Sequence, residues 1–316
     1  MSTKNQFVDT AALFKRLDRQ ARKWLAEWQP VVPKNHQRNT DLLKNYLAGQ
    51  EQALMLDAYC QYLAIDRYQQ FEIDGVLEGT LRWEHLALSA RHDLCRVLVA
   101  ATWAEADSLQ LGPTPSGIAR LLSEVILAGW RGHTRLLLEA LLQGMGNALL
   151  ELYGNRLNEA TQFYFLIQLG VEHFGLELPP QEVFRFARPQ DMPEYAAVLA
   201  DWRTPDLARV QALVSAMAEH HVRASKGSDG FVGAFSLQSD YLFPYEILAF
   251  LRLREWEGLE NPVSFDHPLM NTPLAVLPPA PLPWPEAPLL DAAIAKFKTE
   301  YPERNYFYID RLTVPV

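Results

Sequence analysis

The chain has 316 residues, 49% of them hydrophobic and 21% charged, and a formal net charge of −9. That balance describes a folded chain with a sizeable core and excludes a disordered one. The acidic surplus argues against direct nucleic-acid binding, which needs clustered Lys and Arg, and no apolar run reaches the roughly 18 residues of a membrane span.

Charge is uneven along the chain. Residues 1–44 carry 9 Lys and Arg against 4 Asp and Glu, whereas residues 226–266 carry 3 against 7. The opening MSTKNQFVDTAALFKR has no apolar stretch of the signal-peptide kind. Two cysteines, Cys60 and Cys95, are too few for a disulfide framework. Together these predict a cytoplasmic protein.

Helical spacing dominates from the start. Leu13, Phe14, Leu17, Ala21, Trp24, Leu25 and Trp28 recur at i, i+3/i+4 and i+7, and Pro30 and Pro33 are expected to close that helix. Thr40 is placed to cap a second helix with a stripe of Leu43, Tyr46, Leu47, Leu54 and Tyr62. A third spans roughly Trp83 to Trp103. The segment LGPTPSG is the clearest break, with Ser116 expected to cap the next helix, and it divides the chain into 1–110 and 111–316, either two regions or one continuous domain.

Ile118–Leu152 is apolar on more than one face and predicts two buried helices meeting near Gly132. Another runs from about Leu157 to Phe174. Thr204-Pro205-Asp206 combines a capping hydroxyl, a proline for the first helical position and a carboxylate, so a helix is expected from there to about Val222. After the glycine-rich KGSDGFVGAF, Pro244 opens a helix that stops at Gly258, and a last one covers about Pro288–Thr299. Only NYFYIDRLTVPV offers a plausible extended segment. The predicted fold is all-α: about ten helices stacked as antiparallel hairpins, with a proline-rich, ordered carboxyl-terminal tail.

Signatures of chemistry are sparse. His92 and Cys95 lie three apart and His220 and His221 are adjacent, but no HExxH or CxxC supports a metal site. Gly227-Ser228-Asp229-Gly230 does not make a nucleophile elbow, and no GxxxxGK cradles phosphate. Neither a catalytic residue nor a metal or cofactor is therefore expected. The alternative is a helical enzyme using Glu246 with His220 or His267 as acid and base, or a scaffold docking through residues 13–28. The aromatics Phe231, Phe235, Tyr241, Phe243, Tyr245 and Trp284 are read first as core anchors and second as interface contacts.

The run Phe243-Pro244-Tyr245-Glu246, the apolar helix to Arg252 and Arg254, Gly258-Leu259, Asp266-His267-Pro268-Leu269 and Pro273-Leu274 carries a resemblance, best over residues 241–279. It resembles the carboxyl-terminal part of mostly helical immunity proteins encoded beside polymorphic toxins, including those of type VI secretion systems. The resemblance implies a non-enzymatic inhibitor that binds a cognate toxin effector, often a nuclease, and blocks its active site or substrate groove. A basic nuclease groove would complement the acidic stretches Asp229–Asp240 and Glu255–Asp266. Asp229, Asp240, Tyr241, Glu257, Glu260 and Asp266 are accordingly the candidate toxin-binding residues.

Overall fold

A computed structural model describes residues 9–105, 113–151, 161–180, 192–225, 235 and 238–313. Among these residues every regular element is helical, in agreement with the all-α expectation. Helix α1 (Thr10–Trp28) starts at Asp9, whose carboxylate accepts from the Ala12 amide at 3.1 Å, and it buries Leu13, Leu17, Ala21 and Leu25. Pro33 does not close that helix. It sits in the first turn of α2 (Val32–Leu47), where a missing N–H costs nothing. Thr40 consequently lies inside α2 and caps nothing.

Gly49 ends α2 at a φ of 76°, and a short turn leads into α3 (Leu56–Leu77). The expected second stripe is therefore split: Leu43 and Tyr46 belong to α2, whereas Tyr62 belongs to α3. Helices α3 and α4 (Trp83–Glu105) form a central antiparallel hairpin. Phe71 meets Trp83 at one end, 5.4 Å between ring centroids, and Cys60 Sγ lies 3.9 Å from Cys95 Sγ further along. From Leu86 to Ala104, α4 is buried all round, as befits a helix enclosed by others.

Thr114, not Ser116, caps α5 (Pro115–Leu127), accepting from the Gly117 amide at 3.1 Å. A turn at Gly129 and Trp130 leads to α6 (Arg131–Gly144), so the two central helices meet close to the expected point. After α7 (Ala148–Glu151) come α8 (Thr161–Phe174) and α9 (Pro193–Asp201), the last without a counterpart among the expected helices. Helix α10 (Leu207–Ala224) is capped by Asp206, whose side chain accepts from the amides of Ala208 and Arg209; Pro205 precedes the cap. Helices α11 (Tyr245–Trp256) and α12 (Pro288–Glu300) follow the expected bounds closely. The described part of the tail is not extended: Phe307–Asp310 form a helical turn, α13.

The two halves of the chain share one hydrophobic core that runs from Leu13 to Leu312. Helix α12 returns to α2, where Lys296 Nζ donates to the Tyr46 carbonyl at 2.7 Å and Tyr46 Oη donates to Glu300 at 2.8 Å. Between α11 and α12 a proline-rich strap crosses the bundle. Its Leu282 amide donates to the Ala128 carbonyl at 2.8 Å, and Trp130 Nε1 returns a bond to the Leu282 carbonyl at 2.8 Å.

This crossing leaves no room at Gly129. With φ at +77°, a Cβ there would lie 2.8 Å from Ala280 Cβ and 2.9 Å from the Pro281 backbone. We expect Gly129→Ala to destabilise the fold by about 2–4 kcal/mol, combining left-handed strain with a backbone clash. Urea unfolding would check it; a change below roughly 0.5 kcal/mol, the usual surface-mutation range, would contradict this packing.

Candidate functional site

The carboxyl-terminal end of α11 builds the most exposed ordered feature among the candidate positions. Gly258, at φ 76°, turns the chain out of the helix, and the Leu259 amide closes the turn on the Arg254 carbonyl at 2.9 Å. The following loop has few backbone bonds of its own, so side chains hold it. Arg254 is completely buried, and its guanidinium donates to four acceptors: Asn261 Oδ1 at 3.0 Å and the carbonyls of Glu260, Trp202 and Thr204 at 2.8, 2.6 and 2.9 Å. Asn261 Nδ2 adds a bond to the Leu251 carbonyl at 2.9 Å, and Asn271 Nδ2 holds the Phe265 carbonyl at 3.2 Å. Burial lowers the Arg254 pKa, with Asp201 pulling the other way.

On this frame Val263 projects fully into solvent, between the exposed Glu260 and Asp266. Among the described residues neither acid forms an ion pair. The result is an apolar tip with acidic flanks, fixed in place from beneath. Val263 and the anchors Arg254 and Asn261 were not candidates from the sequence. The run Asn261-Pro262-Val263 reads only as a polar turn, and nothing local shows that a buried arginine seven to nine residues earlier supports it.

The other candidate positions fare differently. Asp240 is buried, not on the surface. Its carboxylate lies 3.9 Å from Arg120 Nη1, and its carbonyl accepts from His221 Nε2 at 2.9 Å. Tyr241 is half-buried against the core, and burial together with Asp240 raises its pKa. Glu257 is already engaged, 2.7 Å from His173 Nδ1 and 3.5 Å from Arg203 Nη2. Burial works against its charge, but those two partners hold it below the usual carboxylate range. Asp229 lies outside the described residues.

The interior gathers a second set of charges. Arg120 sits 3.4 Å from Glu124 and 4.4 Å over the Tyr68 ring, with Asp240 on its other side and Glu72 close by. Three carboxylates thus surround one buried guanidinium, and desolvation dominates. It pushes Glu124 up to about 8 despite Arg120, and raises Glu72 well above its ordinary value. Glu246 pairs with His221, not with His220 or His267, at 2.9 Å and with both side chains completely buried. The Asp240 carbonyl can only accept, so His221 Nε2 carries a hydrogen and Nδ1 shares one with Glu246. The pair bridges α10, α11 and the turn at 238–240. Desolvation lowers both His220 and His267 below the ordinary imidazole range. His92 is lowered to about 4 by burial, with Nδ1 at 2.7 Å from the Leu88 carbonyl. Among the described residues no group of three or more His, Cys, Asp or Glu could hold a metal ion, and no helix is long and apolar enough to cross a membrane.

No family model, no curated protein and no solved structure matches this chain.

The raised carboxyls have a consequence for stability. Folded Glu124 keeps its proton to about pH 8, whereas the unfolded chain releases it near the ordinary value of 4.5. Over that interval the folded state binds more protons, so this group makes stability fall as pH rises and adds nothing further above pH 8. Glu124→Gln removes the cost. Relative to wild type it should gain stability between pH 5 and 8, by on the order of 2–5 kcal/mol, and the difference should level off above pH 8. Urea unfolding at pH 5, 7 and 9 measures it, and a pH-independent difference would refute the assignment.

Proposed function

We propose that the chain is an immunity protein that neutralises a secreted antibacterial toxin by stoichiometric binding in the cytoplasm, covering the toxin's active site or substrate groove. The observation that carries this reading is the fixed apolar tip at Val263 with Glu260 and Asp266 beside it. Association normally loses free energy when loops and side chains become ordered. Here the Arg254 and Asn261 bonds impose that order during folding, which favours tight, slow-dissociating contact. Val263 offers apolar area for a pocket on the partner, worth about 25 cal/mol per Å² removed from water. The flanking acids favour encounter with a basic surface such as the substrate groove of a nuclease. The resemblance over residues 241–279 supports the same reading, because these residues lie within it.

Purification of the tagged chain from its source cell should recover a partner that carries a toxin domain. Recovery of the chain alone, under low-salt conditions that preserve ionic contacts, would count against inhibition by binding. With the isolated toxin domain in hand, Val263→Asp should weaken binding at least about tenfold. The double variant Glu260→Lys/Asp266→Lys should slow association by about tenfold and reduce its dependence on salt. All three positions are exposed, so thermal unfolding should be unchanged. A triple variant that binds and protects as wild type does would remove this surface as the interface.

A further inference from the structure

We propose that the groove between the start of α6 and the proline strap binds a small molecule composed of a planar aromatic ring and an anionic group. This inference is independent of the immunity reading. The groove has a volume of about 630 Å³, within the range of small-molecule sites (roughly 300–1,000 Å³). Trp130, Trp256 and Trp284 line it together with Arg131, Arg252 and Pro281. No Asp or Glu lines it, although the chain carries a net charge of −9. Cationic and aromatic groups have therefore been concentrated where the rest of the composition would favour acids.

Two independent features mark the anionic end. The first is the amino terminus of α6, a 14-residue helix whose N-cap, Trp130, supplies no capping bond from its side chain. Its leading amides and the positive end of its dipole are a favourable setting for negative charge. The second is Arg252. It lines the groove at 6% exposure, its Nη1 engages Glu255, and its Nη2 engages the Pro278 carbonyl. Its Nε, however, has no acceptor. A buried donor left without a partner is costly, and the Arg252 guanidinium adds positive potential at the groove wall. Arg131 is exposed at the rim and donates through Nη2 to the Trp256 carbonyl at 3.1 Å, leaving further N–H donors available.

The ring end is marked by tryptophan. Trp256 and Trp284 are only half-buried, so part of each ring surface faces the groove. Arg131 Cζ lies 5.2 Å from the Trp256 ring, and His133 stacks on Trp284 at 4.3 Å, which orients both rings before any ligand arrives. An aromatic ligand would stack on these surfaces with its anionic group directed at Arg252 and the first turn of α6. Nucleotides and aromatic sulfonates share this chemistry.

Titration calorimetry on the full chain tests the proposal, with AMP and naphthalene-2-sulfonate as probes and with adenosine and inorganic phosphate as half-probes. At least one full probe should bind with Kd below about 1 mM. Each half-probe should bind at least about tenfold more weakly, because one set of contacts is missing. Binding of AMP alone would assign a nucleotide, and binding of both full probes a general aromatic anion. Arg131→Ala and Trp256→Ala, each checked for an unchanged circular dichroism spectrum, should weaken the full probe about tenfold or more. The proposal fails if neither full probe binds at 10 mM (roughly ten times the expected Kd). It also fails if phosphate or adenosine alone binds as tightly as the full probe, or if both variants bind as wild type does.

Discussion

The proline-rich strap faces a shortage of hydrogen-bond donors, and the way the helices meet it shapes both surfaces of interest. Eight of the 28 residues from Glu260 to Ala287 are prolines, which carry no backbone N–H. Such a segment forms only the short 3-10 turn at Pro268–Asn271, and its carbonyls still need partners where it lies against the bundle. Arginines reach up from the helices to supply them. Arg91 of α4 donates to Pro285, Arg252 of α11 to Pro278, and Arg254 of α11 to Glu260. All three are buried, Arg254 completely. Burial lowers the pKa of Arg252 and Arg254, a measure of what it costs to desolvate them. A planar guanidinium with five donors offsets that cost with several directed bonds at once, which a lysine could not do.

Because α11 is the platform for most of this, its composition is unusual. It carries Arg252 and Arg254 two residues apart, pointing to different parts of the strap, and both are enclosed. That anchoring makes the downstream segment rigid. The loop from Gly258 to Asp266 is held from below by Arg254 and Asn261, so Val263 stands exposed without being loose. The groove owes its wall to the same device, since the Pro278 bond to Arg252 and the Leu282 bonds to Ala128 and Trp130 press Ala280 and Pro281 against Gly129.

Local signals in the sequence were good guides to where helices lie and poor guides to what they enclose. The periodicity of α1, the apolar breadth of α5 and α6, and Pro244 ahead of α11 all translate directly into structure, because each depends on residues within one or two turns. Pro33 and Thr40 misled for a local reason as well: proline both ends helices and begins them, and only the backbone decides which. The tail around Tyr306–Tyr308 alternates like a strand, but among the described residues there is no strand beside it, and it closes into a helical turn. Site residues failed for a different reason. Asp240 and Glu260 look alike in sequence, acids in irregular segments. Asp240 is drawn inside by Arg120, some 120 positions earlier, and Glu257 is matched by His173 and Arg203. Such pairings are properties of the tertiary fold, and no window along the chain contains them.

The interior carboxylates also change how the surface charge should be counted. Desolvation raises both Glu72 and Glu124, the latter to about 8, so the formal charge of −9 overstates what the surface carries. What remains is not spread evenly around α11. Arg131 rests on Trp256 at one side of the helix end, and Glu260 and Asp266 lie in the loop that leaves it. Charges on a protein surface act over about 8–10 Å at physiological ionic strength, so an approaching charge responds mainly to the groups it comes nearest. A basic protein surface and a small aromatic anion would therefore be sorted at this end of the molecule by charge before any contact forms, the first toward the loop and the second toward the groove.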